Sequence, residues 1–535
     1  MGRCPDHGEY PLPARPQLQL QPRPLRSGPP ERQRWILQPG QLRQRLLPLQ
    51  QHGTGVSGNR GLLHERPLNG GRMSQRVNVA VIGLDSVPPS LLFDRFRGEM
   101  PVLDRLLRNG FYGPLRSTIP PITVPAWTSM MTSWNPGRLG FTGFRNRTWG
   151  SYEEGWIATN RNVRAPRVWE ILGRAGKRSA ILSVPQTYPP RPFPGLLVSG
   201  FLTPPGAAVF THPAQLREEI EAIAGPFQFD VENYRTDERD RLIREIEGMT
   251  HQHLEVARYL VTRKAWDFFM VVLMGPDRLH HAFWQFHDPG HRKFDPTSPY
   301  RETMRRYYRM LDRELGRFLA ALPPETHLLV VSDHGSKAMK GCFHINDWLI
   351  ERGYLRLKHP PSGIQRLREV EIDWPATRAW AWGGYYARIF LNVRGREPMG
   401  AVEPEAFEEV RETLRHEILA IPDDAGNPMA TRVYRPEEIY PGSVREVPDL
   451  LVFFDDLDWR VTESIGHGGL YSFDTELGPD GAVHDWQGVL AISGPKVARR
   501  GEVAEMSIYD VAPTILSLFD LPVPPNMEGK PIPLA

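Results

Sequence analysis

Short runs of apolar and β-branched residues recur along the chain, and a polar residue or a turn follows each of them. The clearest runs cover residues 77–84, 266–274 and 327–331. Runs of this length predict buried β-strands, because a strand covered on both faces needs no polar alternation. Segments with helical periodicity, such as 101–109 and 300–322, lie between them. Strands that alternate with helices indicate an α/β fold with a doubly wound, mainly parallel central sheet flanked by helices.

Two segments interrupt this alternation. Residues from about 204 to 264 contain two charged amphipathic helices, which predict a helical insertion or cap. Residues from about 336 to 448 combine a strand, an acidic helix and many turns, which predict a mixed insertion. The apolar runs at 448–454 and 488–493 are expected to return the chain to the central sheet. Residues 73–535 are therefore predicted to form one large α/β domain with two insertions.

The first 72 residues differ in composition from the rest of the chain. They are rich in Pro, Arg and Gln, and their only aromatic residues are Tyr10 and Trp35. Such a segment cannot bury enough apolar area to offset the entropy lost on ordering. We expect residues 1–72 to be a disordered or even spurious extension, with Met73 as an alternative start. An Arg-rich arm that binds nucleic acid is the less favoured alternative.

Charge, cysteine content and hydropathy narrow the function classes further. The net charge is +3, but residues 1–72 hold 11 Arg against four acidic residues, so the remaining chain carries −4. A basic binding surface on the folded body is not indicated. Cys4 and Cys342 are the only cysteines, so a metal would be held by His and carboxylate groups. The sequence has neither a transmembrane run nor a secretory signal pattern, which favours a cytoplasmic location.

Acidic and histidine side chains follow the predicted strands at the points where the strands end. In open α/β sheets the carboxyl ends of the strands border the crevice that binds ligands, so we expect these side chains to meet there. Asp277 and His281 are four residues apart and share one face of a helical turn, with His280 as a competing ligand. The six candidate ligands are Asp85, Asp277, His281, Asp333, His334 and His484.

Three Asp and three His divide naturally into two metal sites. Mixed imidazole and carboxylate ligands suit Zn²⁺, with Mn²⁺ as the alternative. Two such ions about 3.5–4 Å apart form the clamp used for in-line phosphoryl displacement. Thr123 lies in a Pro-rich segment, two residues before Pro125 and ahead of a predicted helix at 126–132. Its hydroxyl is a candidate nucleophile, and a plain turn or cap residue is the alternative.

The ordered set of motifs resembles the alkaline phosphatase superfamily and, within it, the type I phosphodiesterase/nucleotide pyrophosphatase family. The resemblance covers residues from about 77 to 531. The motifs that carry it are Val81-Ile-Gly-Leu-Asp85, Pro121-Ile-Thr-Val-Pro-Ala-Trp127, Asp277-Arg-Leu-His-His281, Ser332-Asp-His-Gly335, His484 ahead of Gly488-Val-Leu-Ala-Ile-Ser-Gly-Pro495, and Asp510-Val-Ala-Pro-Thr-Ile-Leu516.

The resemblance implies a role for each matching residue. It implies that one metal ion is bound by Asp277, His281 and His484. It implies that the other metal ion is bound by Asp85, Asp333 and His334. It also implies that Thr123 is the nucleophile and carries a phosphoryl group in a phospho-threonine intermediate.

One position departs from the family pattern. Diesterases of the family place an Asn about 21 residues after the nucleophile to bind a phosphate oxygen, and here that position is Phe144. Asn146 follows two residues later, between Arg145 and Arg147. We expect Phe144, Arg145 and Asn146 to contribute to substrate binding. The closest resemblance is to bacterial and archaeal members described as predicted phosphohydrolases or phosphomutases.

These features together predict a metal-dependent hydrolase of phosphoric esters. Phosphodiesterase/nucleotide pyrophosphatase activity on a small phosphate ester or nucleotide is favoured, because nearby aromatic residues offer an apolar face for the leaving group. These residues are Trp127, Phe141, Phe144 and Trp149. A phosphomonoesterase or phosphomutase of the same superfamily is the alternative. A non-enzymatic alternative is an Arg-armed binding protein on an inactive hydrolase scaffold.

Overall fold

The computed structural model describes residues 77–442 and 446–535. Residues 1–72, where the sequence predicts a disordered or spurious extension, lie outside the described residues. Within the described ranges no helix combines the length and apolar character needed to span a membrane. The cytoplasmic location stays a prediction.

A ten-stranded sheet forms the centre of the molecule. Its strands are β1 (Asn78–Leu84), β2 (Gly110–Arg116), β3 (Ser179–Val184), β4 (Gly195–Ser199), β5 (Thr211–His212), β6 (Phe268–Leu273), β7 (Thr326–Val331), β8 (Gln487–Ser493), β9 (Gly501–Glu502) and β10 (Met506–Ser507). They lie in the order β9-β2-β8-β7-β1-β6-β3-β4-β5, and β10 also pairs with β2.

The strand directions confirm the predicted doubly wound, mainly parallel sheet. The five strands from β7 to β4 in this order are parallel to one another. Strand β8 runs antiparallel to both of its neighbours, and β5 runs antiparallel to β4. The strand expected at 488–493 therefore belongs to the central sheet but enters it in the opposite direction.

Strand β1 lies in the middle of the sheet because its side chains are apolar on both faces. Every residue of Asn78–Leu84 is buried. Gly83 is required by a close contact, since a Cβ atom there would lie 2.5 Å from the ring of Trp127. The glycine therefore lets the indole pack across the end of the strand that leads to Asp85.

Helices lie between the strands of the sheet along the chain and also occur in the insertions. In the described residues they are α1 (Pro101–Arg108), α2 (Thr123–Thr132), α3 (Pro136–Leu139), α4 (Val168–Arg174), α5 (Leu216–Ala224), α6 (Arg239–Arg263), α7 (Gly275–His287), α8 (Thr303–Leu319), α9 (Ile345–Glu351), α10 (Phe407–Leu419), α11 (Pro436–Ile439) and α12 (Val511–Leu518). Helix α2 begins at Thr123 rather than at residue 126. Pro125 is accommodated because first-turn N–H groups have no partner within the helix.

The chain leaves the central sheet twice, as the sequence pattern suggests. Between β5 and β6 it forms the helices α5 and α6. Between β7 and β8 it forms a lobe, residues 332–486, which has a hydrophobic core of its own. The main lobe sheet contains Ala379–Trp382, Ala387–Leu391, Leu450–Phe453 and Arg432–Tyr434, in that order.

One strand expected in the central sheet belongs to the lobe instead. Leu450–Phe453 pairs antiparallel with strands on both sides within the lobe sheet. Its residues are fully buried, so the sequence pattern is that of a central strand although the partners are different. The excursion from the central sheet consequently runs to residue 486, beyond the expected limit near 448.

Candidate active site

Three neighbouring strands bring the acidic residues together at one edge of the sheet. Strand β1 pairs in parallel with β6 on one side and β7 on the other, and their carboxyl ends are aligned. Asp85 follows β1, Asp333 and His334 follow β7, and Asp277 lies in the first turn of α7, directly after β6. The sheet register therefore places residues far apart in sequence within one crevice.

His484 reaches the crevice from the lobe. It lies on a short strand, Ala482–Asp485, that pairs antiparallel with Gly335–Ala338, the strand that follows His334. In this register His484 is opposite Ser336. The imidazole rings of His334 and His484 stack with 3.9 Å between their centroids.

The six predicted ligands form two groups. Asp277, His281 and His484 form the first, which we call the Asp277 cluster, and their possible ligand atoms all lie within 4.8 Å of one another. Asp85, Asp333 and His334 form the second, the Asp333 cluster, under the same distance limit. All six side chains are buried. This is the division that the sequence resemblance implies.

The histidines are oriented by hydrogen bonds on the side of the ring that faces away from each cluster. Nδ1 of His484 donates to the carbonyl of Pro121 at 2.7 Å, and Nδ1 of His334 donates to the carbonyl of Gly335 at 3.0 Å. Nδ1 of His281 donates to Asp480 at 2.8 Å. In all three rings Nε2 is left toward the carboxylates, the arrangement that protein metal sites use to set the tautomer of a ligating histidine.

Each carboxylate has one oxygen bonded to the protein and one without a partner. Trp127 Nε1 donates to Asp85 Oδ2 at 2.6 Å, the Ser86 N–H donates to Asp333 Oδ1 at 3.2 Å, and Arg278 donates to Asp277 Oδ2. The other oxygens are buried without a hydrogen bond: Asp85 Oδ1, Asp277 Oδ1 and Asp333 Oδ2.

The unpartnered oxygens face the Nε2 atoms. Asp333 Oδ2 and Asp85 Oδ1 lie 3.2 and 3.8 Å from Nε2 of His334. Asp277 Oδ1 lies 3.4 Å from Nε2 of His281 and 4.0 Å from Nε2 of His484. Buried carboxylate oxygens without a donor are costly, and a divalent cation is the partner that this donor set fits.

The electrostatics of the two clusters differ. Burial and then Asp277 raise the pKa of Asp85 well above its usual range, and burial and then Asp85 do the same for Asp333. Burial also acts on Asp277, but the neighbouring His281 and Arg278 lower its pKa overall. Burial opposes the charged form of His281, yet Asp480 and Asp277 raise its pKa to about 10.

Thr123 contacts the Asp333 cluster and also lines a cavity beside it. Its side chain is 3% exposed, and its hydroxyl is 3.1 Å from Nε2 of His334. Because Nδ1 of His334 carries the proton, the hydroxyl donates this bond. Thr123 is the first residue of α2, so it also lies at the positive end of the helix dipole.

The sequence interpretation missed a charged network behind the Asp277 cluster. The buried Asp480 accepts from Arg235 at 2.8 Å and from Arg460 at 3.3 Å, in addition to its bond with His281. The Tyr385 hydroxyl lies 3.1 Å from His281 Nε2. No local sequence signal marks these residues, because they come from a loop and from lobe strands whose pairing the sequence pattern does not show.

His280 is not a competing ligand in the structure. Its Nδ1 lies 3.1 Å from the Ser86 carbonyl and from the Ser336 hydroxyl, and its Nε2 lies 2.9 Å from the Tyr308 hydroxyl. It is completely buried, and burial lowers its pKa to about 3. Its role is structural, as a neutral imidazole that ties α7 to its neighbours.

A third His/Asp group in the lobe differs from the two clusters. It consists of His344, Asp347 and His467. Both ring nitrogens of His344 and both oxygens of Asp347 already have hydrogen-bond partners in the protein. The donor set is therefore satisfied without a cation, in contrast to the three carboxylates of the crevice.

A cavity of about 360 Å³ opens beside the Asp277 cluster. Thr123 lines it, and so do Phe144 and Arg145, two of the three residues expected to bind substrate. Asn146, the third, is not among the residues that line it. Its side chain accepts from the Thr142 N–H and donates to the Gly143 carbonyl, so both of its polar atoms are used within the turn.

The aromatic lining of the cavity also differs from the expectation. Trp127 and Phe141 are core residues with at most 1% of their surface exposed. Trp149 packs against Arg147 and Arg396 instead of the cavity. Of the four aromatic residues expected there, only Phe144 lines it. The other aromatic rings come from distant segments: Phe201, Tyr234, Tyr385 and Tyr386.

Two solved structures are similar to this chain. Human ectonucleotide pyrophosphatase/phosphodiesterase 5 superimposes with a TM-score of 0.50 and 14% identity, over 85% of this chain and 97% of that chain. An inactive variant of the murine protein, in complex with AMP, matches with a TM-score of 0.47 and 15% identity, over 84% and 96%. The sequence finds no match among curated proteins.

The human structure shares the fold at this level of identity. The family model described as type I phosphodiesterase / nucleotide pyrophosphatase matches residues 79–486, most of the described chain. This range contains β1, Thr123, both clusters and the lobe. The protein therefore belongs to the type I phosphodiesterase/nucleotide pyrophosphatase family of hydrolases.

Proposed function

We propose that this protein is a metal-dependent phosphoric ester hydrolase in which Thr123 is the nucleophile. The Asp277 and Asp333 clusters each hold one divalent ion, Zn²⁺ with Mn²⁺ as the alternative. One observation carries the proposal: three buried carboxylate oxygens without a hydrogen bond face three Nε2 atoms. When bound, the ions supply positive charge that lowers the pKa of a hydroxyl group and neutralises a phosphate.

The residues of the chain define the rest of the reaction. The Thr123 oxygen attacks phosphorus, and the bond to the leaving group breaks as the threonine–phosphorus bond forms. Water then attacks the same phosphorus atom and releases Thr123. Thr123 is the first residue of α2, and the positive end of this helix favours the negative charge that develops beside it. The apolar rings that line the cavity reduce the contact of the reacting groups with water, which strengthens these electrostatic interactions.

The decisive experiment compares Thr123→Ala with Thr123→Ser in the full chain. Thr123→Ala should retain close to two ions per chain by elemental analysis and lose about a thousandfold or more in turnover, because the nucleophile is gone. Thr123→Ser keeps a hydroxyl at the same position and should retain part of the activity. Undiminished turnover in Thr123→Ala would remove Thr123 from the mechanism.

The metal part of the proposal has its own test. Protein purified without chelator should contain close to two Zn or Mn per chain. Less than about half an ion per chain, with no gain of activity when either ion is added, would contradict the two-metal site. Robust turnover by the wild type would exclude the alternative of a binding protein on an inactive scaffold.

The substrate is proposed to be a small phosphate diester or nucleotide, and a monoester remains the second candidate. The aromatic lining of the cavity favours an organic group on the substrate. Its arginines favour a highly charged phosphate, which supports a phosphomonoesterase or phosphomutase. Catalytic efficiency on bis-aryl and mono-aryl phosphates should be compared. A tenfold preference for the monoester, about 1.4 kcal/mol, would reverse the assignment.

A further inference from the structure

The cavity beside Thr123 is lined by five arginines, and four of them already have a carboxylate partner. Their side chains are Arg145, Arg235, Arg278, Arg388 and Arg460. Arg278 is paired with Asp230 and Asp277, Arg235 and Arg460 share Asp480, and Arg145 lies 3.6 Å from Glu463.

Arg388 is the exception. Among the described residues no carboxylate lies within ion-pair distance of its guanidinium group. It belongs to the lobe strand Ala387–Leu391, which is otherwise buried in the lobe sheet. The cavity therefore contains one guanidinium whose charge the folded chain does not compensate.

Two carbonyl groups hold Arg388 in place. Nη1 donates to the Arg145 carbonyl at 2.6 Å, and Nη2 donates to the Gly383 carbonyl at 2.9 Å. The ring of Trp382 packs 5.5 Å from its Cζ. A guanidinium has five N–H donors. These bonds use two, the Nε–H is buried without a partner, and one N–H on each of Nη1 and Nη2 is left. The side chain is positioned before substrate arrives, and little rotamer entropy is left to lose on binding.

The Nη1 end of the Arg388 guanidinium lies near the turn that carries Phe144. A Cβ atom added at Gly143 would be 3.6 Å from Nη1 of Arg388. Phe144, the next residue, also lines the cavity, and its phenyl ring cannot hydrogen bond an oxygen. On this side of the cavity, the guanidinium group of Arg388 is therefore the group that can donate hydrogen bonds to a substrate oxygen.

A half-buried guanidinium without a carboxylate partner favours an anion beside it. Its planar fork matches the geometry of two phosphate oxygens. The cavity is at the lower end of the volumes that small-molecule sites occupy, which suits a small phosphate ester. A neutral substrate would leave the charge of Arg388 without a counter-ion.

We propose that Arg388 binds anionic phosphoryl oxygens of the substrate. The substrate class is an organic phosphate ester whose phosphoryl group lies between Arg388 and Thr123, with its organic group against Phe144, Phe201 and Tyr234. This inference rests on the proposed hydrolase function, and it adds a substrate-binding residue outside both clusters. It also predicts that a dianionic monoester depends on Arg388 more strongly than a monoanionic diester.

The test compares Arg388→Gln and Arg388→Lys with wild type and with a matched control, Arg394→Gln. Arg394 follows the same strand, is exposed, and pairs with Glu403 on the lobe surface. For each protein, the binding of inorganic phosphate is measured by calorimetry, and kcat/KM is measured for a mono-aryl and a bis-aryl phosphate. Metal content and melting temperature are measured in parallel.

Arg388→Gln should bind inorganic phosphate about 10- to 100-fold more weakly, because a charge-assisted hydrogen bond is lost. Its kcat/KM for the monoester should fall by a similar factor, and for the diester by less. Arg388→Lys should recover part of both losses, since it keeps the charge without the fork. Arg394→Gln should match wild type throughout.

Wild-type phosphate affinity in Arg388→Gln with an intact fold would overturn the inference while leaving the hydrolase proposal standing. Weakened phosphate binding in a protein that hydrolyses no ester would instead support the inference and contradict the function. If Arg388→Gln does not fold, the affinity of Arg388→Lys for inorganic phosphate is the test. Wild-type affinity in that variant would show that the substrate does not need the bidentate contact of an arginine, and would overturn the inference.

Discussion

The Asp277 cluster and the Asp333 cluster hold similar donors in different surroundings. Neutral groups fix the carboxylates of the Asp333 cluster, namely the indole N–H of Trp127 and the backbone N–H of Ser86. Charged groups surround the Asp277 cluster, where Arg278 contacts Asp277 and the buried Asp480 contacts His281. One site is held by uncharged N–H donors from α2 and from the end of β1, and the other by ion pairs that reach into the lobe.

This difference has an electrostatic consequence. In the Asp333 cluster two buried carboxylates lie close together without a protein cation, so both resist ionisation and both favour a bound cation. In the Asp277 cluster the protein already compensates the single carboxylate. We therefore expect the Asp333 cluster to contribute more of its metal affinity through charge, and the Asp277 cluster to depend more on its surrounding network.

The largest loss of turnover is expected when one of the metal-binding carboxylates is removed. Asp333→Asn should reduce the metal content from two ions toward one and lower turnover about a thousandfold or more, because the nucleophile loses its adjacent cation. The Asp277 cluster should keep its ion, as elemental analysis would show. Asp474→Asn, at the exposed partner of Lys293, is the control. Loss of both ions in Asp333→Asn would mean that the clusters are not independent.

A smaller effect, on metal affinity, is expected when the charged network around Asp480 is disrupted. Asp480→Asn removes the acceptor of His281 and leaves Arg235 and Arg460 without their carboxylate. Metal affinity at the Asp277 cluster should fall about 10- to 100-fold, measured by competition with a chelator. Glu403→Gln, in an exposed ion pair, should change nothing measurable. Unchanged affinity in Asp480→Asn would show that its charge does not support the site.

Loss of an uncharged hydrogen-bond donor should lower metal affinity less than loss of the Asp480 charge. Trp127→Phe removes the hydrogen bond to Asp85 and keeps most of the ring volume between α2 and β1. Metal affinity at the Asp333 cluster should fall about tenfold, the effect of one hydrogen bond to a charged group. The same chelator titration measures it. A loss as large as that of Asp480→Asn would break the distinction between the two surroundings.

The smallest effect on turnover is expected outside both clusters. His253 is buried, stacks on Phe227 and hydrogen bonds the Gln228 carbonyl, and burial lowers its pKa to about 4. Its pKa in the unfolded chain is near 6.5, so the unfolded state binds the proton first as pH falls. Stability is thus full above pH 6.5 and falls by about 3 kcal/mol toward pH 4.

Urea unfolding of wild type and His253→Gln at pH 7 and pH 4.5 measures this effect. The variant should lose less stability between the two values, while its turnover at pH 7 stays close to wild type. The hydrogen bond to Gln228 and the charge of Asp230 both act to raise the pKa of His253, and burial outweighs them. An equal loss of stability in both proteins would place the acid sensitivity elsewhere.

The local pattern of apolar and polar residues was sufficient to predict a large part of the central sheet and of the candidate site. The apolar runs that became β1, β6 and β7, and the helix that carries Asp277 and His281, are recognisable because burial on both faces and helical spacing leave a short-range signature. The position of Asp85, Asp333 and His334 at strand ends follows from the same signature, since parallel strands end at the same edge of a sheet.

Tertiary structure decided the strand pairing and the contacts of several other residues. The strand Leu450–Phe453 has the composition of a central strand, and only its pairing assigns it to the lobe. Asn146 and Phe144 are two residues apart, yet one closes a turn and the other lines the cavity. Asp480 and Arg388 have hydrogen-bond partners more than one hundred residues away. Long-range pairing leaves no periodic trace in the chain, because it depends on which surfaces meet after folding.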